Sequence, residues 1–290
     1  MDQAENLRNI IKKQNQKDLS NARVIAVTSG KGGVGKSSVS INLAVQFTKM
    51  GKKVIILDAD FGLANIEVMF GVIPKYNLSD LMGSEREMSE IITEGPEGIK
   101  FISGGSGIAK LVNPDKEQVK RLVNKMSELE NMADVIIIDT GAGISSTVME
   151  FLVASPETII VTTPEPTSIT DSYALLKALS MNDNFRREDV SIKMIANRVS
   201  TESEGRNLYE KLNMVVSKFL DIDMTYLGII PMDNNIVKAV MKPVSIIYPA
   251  SASSKHFEEI AEKIMNEGTD IPPQKRGIRG YLKSVFAKNL

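Results

Sequence analysis

The sequence predicts an α/β fold, a doubly wound and mostly parallel sheet with helices on both faces. Three observations point to it. Aliphatic runs such as "RVIAVTS", "DVIIIDT", "ETIIVTT" and "SIKMIANRV" recur along the chain. Each is continuous instead of alternating, as strands buried on both faces require. Helical stretches separate these runs, and strand-then-helix repetition implies right-handed crossovers. Between the first run and its helix lies "GKGGVGKS", which has the spacing G-x-x-x-x-G-K-[ST] of a phosphate-binding loop.

The elements follow in order. "RVIAVTS" is the first strand and leads into the glycine loop, and "SSVSINLAVQFTKM" is the helix behind it. "KKVIILDAD" is a second strand that ends in acids, and "IKFISGG", "DVIIIDTGAG", "ETIIVTTPE", "SIKMIANRV" and "MTYLGIIP" repeat the form. Helices are expected over Asp115–Glu130, Ser168–Leu179, Gly205–Leu220 and Ser253–Asn266. No internal repeat or second core is evident. One domain is therefore expected over residues 20–267, with a polar segment at 1–19, a linker at 268–274 and an amphipathic helix at 275–290.

Composition narrows the function. The chain has 290 residues, a net charge of −1 and no cysteine. Near-zero charge gives no general field for nucleic acid, so sequence-specific nucleic-acid binding is not expected. Without cysteine there are no disulfides, thiolate metal sites or cysteine-held clusters. The first twenty residues lack a signal-like apolar segment, and no apolar run approaches the roughly 20 residues of a membrane span. A soluble, cytoplasmic protein is the expectation.

The loop's chemistry follows from its atoms. Gly30, Gly32, Gly33 and Gly35, with Val34 between them, let successive backbone N–H groups turn toward phosphate oxygens. The helix starting near Lys36 adds its positive end. Lys36 is suited to β- and γ-phosphates, Ser37 to Mg²⁺, and Ser38 continues the cradle. Asp58 and Asp60 end the second strand and Asp139 ends "VIIID", at the carboxyl edge where ligands of such sheets bind. Rigidly held carboxylates suit a magnesium shell. A strand-end aspartate can equally cap the next helix. Asp60 is the candidate for placing a hydrolytic water. The single His256 reads as structural or surface.

The block "SGKGGVGKSS", with "ILDADFGLANIE" and "IIIDTGAG", resembles the deviant phosphate-loop ATPases of the MinD/ParA family, a SIMIBI-class fold. The resemblance implies ATP and ADP as ligands, with Mg²⁺ held through Ser37, Asp58 and Asp139. It makes Lys31 a second catalytic lysine beside Lys36, one that reaches the partner subunit's triphosphate. The chain would then pair on ATP and separate with ADP or without nucleotide. Asp60 would handle the attacking water, and Asn197, Pro231 and Asp233 would lie against adenine. An amide offers a purine edge both a donor and an acceptor, so Asn197 is chemically suitable.

Both ends bear on the branch. Ile278, Tyr281, Leu282, Val285 and Phe286 form one helical stripe, and Lys275, Arg276, Arg279, Lys283 and Lys288 surround it with positive charge. A basic amphipathic helix suits an anionic membrane surface, so peripheral attachment at the inner face of the cell membrane is expected with ATP. At the other end, "MDQAENLR" gives Asp2 and Glu5 capping-box spacing before a narrow apolar face. Its D-Q-A-x-x-L-R pattern resembles the activator motif of the FlhG branch, which regulates flagellar number and placement. That resemblance implies stimulation of FlhF, a GTPase of the signal-recognition-particle type, through Gln3, Leu7 and Arg8. Flagellar switch or C-ring proteins are further implied partners. The alternatives are a ParA-type DNA-partition ATPase and a MinD-type cell-division-site ATPase.

Overall fold

β1 (Arg23–Ser29) is the hydrogen-bonded centre of the sheet, and every strand-end residue of the site is placed relative to it. The computed structural model describes residues 22–60, 65–83, 86–105, 128–233 and 252–267. Gln3, Leu7, Arg8, the linker 268–274 and the stripe Ile278, Tyr281, Leu282, Val285 and Phe286 lie outside these residues, as does most of the helix expected over Asp115–Glu130.

After β1 come α1 (Lys36–Lys49), β2 (Val54–Ala59), α2 (Asn65–Phe70), α3 (Leu78–Gly83), α4 (Met88–Ile91), β3 (Thr93–Glu94) and β4 (Lys100–Ile102). Then follow β5 (Val135–Ala142), α5 (Ser146–Ala154), β6 (Glu157–Thr162), α6 (Pro166–Ser180), β7 (Ser191–Val199), α7 (Glu202–Leu220), β8 (Met224–Pro231) and α8 (Ala252–Asn266). The eight strands run in the order β3-β4-β2-β5-β1-β6-β7-β8. All pairings are parallel except β3 with β4. The doubly wound, mostly parallel sheet expected from the aliphatic runs is present. The two-residue antiparallel edge strand β3 was not expected, since "TE" carries no apolar pattern.

The continuous runs are buried on both faces, as a parallel sheet requires. On one face Ile25, Ile56 and Ile137 meet Phe47 of α1 and Phe257 and Ile264 of α8. On the other, Ile136, Ile160 and Met194 meet Leu152, Leu176 and Leu212 of α5, α6 and α7. Caps shift two helix starts from the expected positions. Pro166 opens α6 at its first turn. The Thr201 hydroxyl accepts the Glu204 N–H ahead of α7. Below the sheet's far edge, Glu157 joins Arg23 at 2.6 Å and the buried Lys193 at 3.3 Å, tying together β1, β6 and β7. Among the described residues no helix is long and apolar enough to cross a membrane.

Candidate functional site

The chain turns from β1 into α1 through the glycine loop, at the point where the strand order reverses between β5 and β6. Gly33 (φ 78) and Gly35 (φ 97) are left-handed, a conformation that side chains rarely adopt. Gly35 is the N-cap of α1 and supplies no side-chain oxygen, and the first turn contains no acid. The leading N–H groups of α1 are thus left for an anion. A cleft of about 790 Å³ opens there, lined by Gly32, Gly33, Gly35, Lys36, Ser37, Ser38 and Asp60 from the loop side. Asn197, Pro231 and Asp233 line its other wall. Most of the residues expected at the phosphates and the base therefore share one cavity, while Gly30, Lys31 and Val34 are not in its lining.

Gly30 and Lys31 stand apart from the cleft lining. A Cβ on Gly30 would lie 2.1 Å from the Asp171 carbonyl carbon, so this glycine is set by the close approach of α6 and not by an anion. Lys31 extends its Nζ to Glu165 Oε2 at 2.5 Å and Thr167 Oγ1 at 2.8 Å, both at the start of α6. The lysine next to Glu165 holds that carboxyl below its usual range. Of the loop's two lysines, one lines its own cleft and one is turned out of it.

Asp58 and Asp139 face each other across β2 and β5 as Cα partners, and both are fully buried. The Asp58 carboxylate accepts the Asp60 N–H at 3.2 Å and the Ile66 N–H at 3.1 Å, so it also anchors the start of α2. Burial first, and then the neighbouring Asp139, push its pKa from 3.8 to about 7. Burial also raises Asp139, while Lys36, Ser37 and Ser40 oppose the rise. Ser40 donates to Asp139 Oδ1 at 2.9 Å, whereas Oδ2 is buried without a hydrogen-bond partner. Ser38 Oγ is likewise buried and unpartnered.

Two buried carboxylates, one with an orphaned oxygen, flank a serine at an anion-ready helix start. That set fits a hard divalent cation such as Mg²⁺, which takes oxygen ligands and completes its shell with water and phosphate. Among the described residues no group of three His, Cys, Asp or Glu is arranged to hold a metal by itself, here or elsewhere, so a cation at this site would need the serine hydroxyl and phosphate oxygens as well. Asp60 follows β2 directly and accepts a 3.3 Å bond from Asn65 Nδ2 at the cleft edge. Asp233 is tied to α8 through the Ser253 hydroxyl at 2.9 Å.

Sequence reasoning missed Val39 of α1 and also Asn65, Met69, Ala142, Arg198, Ile230, Met232 and Phe257, which complete the cleft. Val39, Asn65, Ala142, Arg198 and Ile230 lie inside quoted runs without having been singled out, whereas Met69, Met232 and Phe257 carried no signal. Phe257 arrives from α8 and could not be placed from spacing. His256, its neighbour, is not among the lining residues.

The comparisons with known proteins agree with this geometry. Residues 20–265 match the family described as "ParA: NUBPL iron-transfer P-loop NTPase". The chain has no cysteine, so no thiolate is present here to hold an iron cluster. The antiactivator FleN of Pseudomonas aeruginosa is 38% identical, over 88% of this chain and 90% of that protein. The flagellum site-determining protein YlxH of Helicobacter pylori is 37% identical, over 98% of each. The septum site-determining protein MinD of the same organism is 30% identical, over 92% of this chain and 100% of its own. Among solved structures, the cell division ATPase MinD of Pyrococcus furiosus superposes with a TM-score of 0.65 at 25% identity, over 85% of this chain and 100% of its own. The Pyrococcus horikoshii MinD complexed with Mg-ADP gives 0.65 and 25%, over 84% of this chain and 96% of its own. From loop, strand-end acids and fold together, the chain belongs to the ParA/MinD family of phosphate-loop nucleoside triphosphatases.

Proposed function

We propose that the chain is an ATP-hydrolysing switch that pairs with a second copy of itself on ATP, separates on ADP, and regulates flagellar number or placement. The observation that carries the reading is the division of labour between the two lysines. Lys36 lines the cleft, whereas Lys31 is held outside it by Glu165 and Thr167. A cation outside its own site is placed to act on a neighbour's, which is the logic of an arginine finger. The flagellar assignment draws on the similarity to FleN and YlxH over most of the chain.

In this reading, Lys36 and the α1 N–H groups bind the β- and γ-phosphates. Ser37, Asp58 and Asp139 would hold Mg²⁺, which would neutralise the charge that develops on the phosphates. Asp60 orients the attacking water, and Lys31 enters from the partner subunit to complete charge stabilisation. Asn197, Pro231 and Asp233 border the base. Outside the described residues, the apolar stripe of Ile278, Tyr281, Leu282, Val285 and Phe286, with the basic residues around it, attaches the pair to anionic lipid, and Gln3, Leu7 and Arg8 act on FlhF.

A MinD-type division-site ATPase is the second reading, favoured by the 30% identity to Helicobacter pylori MinD. Deleting the gene separates the two: altered flagellar number with normal septa supports the first reading, misplaced septa the second. In vitro, light scattering of the Asp60→Ala chain should give a dimer with ATP and a monomer with ADP. A monomer in both states removes the switch.

A further inference from the structure

Asn197 stands at the carboxyl end of β7, 6% exposed, and both ends of its amide have partners within the protein. Nδ2 donates to the Val34 carbonyl at 2.7 Å, and Oδ1 accepts the Arg198 N–H at 2.9 Å. A Cβ on Gly35 would lie 2.5 Å from the same Nδ2, so the amide sits directly on the Val34–Gly35 peptide. Val34 itself is buried in the core beneath the loop. The groups that follow this peptide are the α1 N–H groups, Lys36 and Ser37.

We infer that Asn197 is a positioning residue for the phosphate loop, bracing it from the base side of the cleft. The anchor is held by the sheet, because β7 pairs with β6 up to Ala196 and with β8 at Asn197 itself, opposite Ile230. The bond matters because it fixes the one peptide plane that leads into Gly35, whose left-handed φ of 97 aims the following N–H groups. The second bond steadies Arg198, another left-handed residue (φ 58) and one that pays a strain cost as a non-glycine. One amide hydrogen and one Oδ1 lone pair remain, so the brace is compatible with a purine contact. It ties base occupancy and phosphate geometry to a single side chain. The inference rests on the reading of this cleft as a nucleotide site.

The test uses a base-free probe. Calorimetric titration of the full chain should show magnesium tripolyphosphate weakened about tenfold by Asn197→Ala, since a buried carbonyl is left unpaired, and magnesium ATP weakened by at least as much. Asn197→Asp keeps the shape and the Arg198 bond but turns an acceptor toward the Val34 carbonyl, so it should lose as much. Hydrogen exchange adds a readout that ligand charge cannot affect. In both ligand-free variants the amides of residues 30–38 should exchange faster, while β1 and β5 keep native protection as the check on folding. Tripolyphosphate affinity or loop exchange that stays native in either variant overturns the brace. If the native chain binds neither probe, the nucleotide reading itself fails, and the brace with it.

Discussion

Asp58 and Asp139 show what one buried residue costs and what it allows. Two adjacent carboxyls closed off from water resist ionisation, and Asp58 is pushed up to about 7 by burial and then by Asp139. The sign of the consequence follows from linkage. As pH rises from 3.8 to about 7, the unfolded chain loses this proton while the folded chain keeps it. The folded state therefore loses stability across that window, and above it the penalty is complete. Asp58→Asn removes the group from the balance. Without magnesium and nucleotide, the variant's melting temperature should gain on the native one as pH rises through the window. Calorimetry at several pH values checks this, and a constant gap would show that Asp58 does not titrate as its burial demands. With Mg-ATP present the native chain should recover, because a cation favours the charged carboxylates.

At the scale of elements, α6 is the part that the loop depends on most. Its backbone at Asp171 leaves no space for a Cβ on Gly30, and its first residues hold Lys31. Gly30→Ala should thus force the loop and α6 apart, costing about 1–3 kcal/mol as overpacking and weakening ATP binding together. Thermal unfolding alongside nucleotide titration reads both, and a variant native in each would dissolve the link. None of these contacts was legible in the sequence. Lys31 and Glu165 are 134 positions apart, and Asn197 and Val34 are 163 apart. What was legible was local. The aliphatic runs marked β1, β2 and β4 through β8 because both faces of each strand are buried. The glycine loop and Asp60 stood out at short spacing and line the cleft, while Asp58 and Asp139 stood out as strand-end acids and lie buried beside each other on β2 and β5. α5 was missed because "VMEFLVA" is apolar almost throughout and shows no helical period. Gly30 was legible as part of the loop, but its physical reason, the packing of α6, was not.

For the whole molecule, nucleotide state is proposed to govern pairing, and pairing to govern attachment. One amphipathic segment at 275–290 should hold lipid only marginally, whereas two carried by one dimer should gain about 10²–10⁴ in avidity. Phe286→Glu should abolish ATP-dependent sedimentation with anionic liposomes and leave dimerisation intact. Persistence of lipid binding in that variant would remove the membrane role. The central claim is that Lys31 works across the subunit boundary, and subunit mixing tests it most directly. Lys31→Ala and Asp60→Ala should each be inactive alone. In a mixed dimer, the site with native Asp60 receives Lys31 from its partner and is complete, while the other site lacks both. An equal mixture forms mixed dimers half of the time, each with one working site, so ATP turnover should return to about a quarter of the native rate per subunit. A mixture as inactive as its components, or a Lys31→Ala chain that turns over ATP at the native rate by itself, would contradict the account.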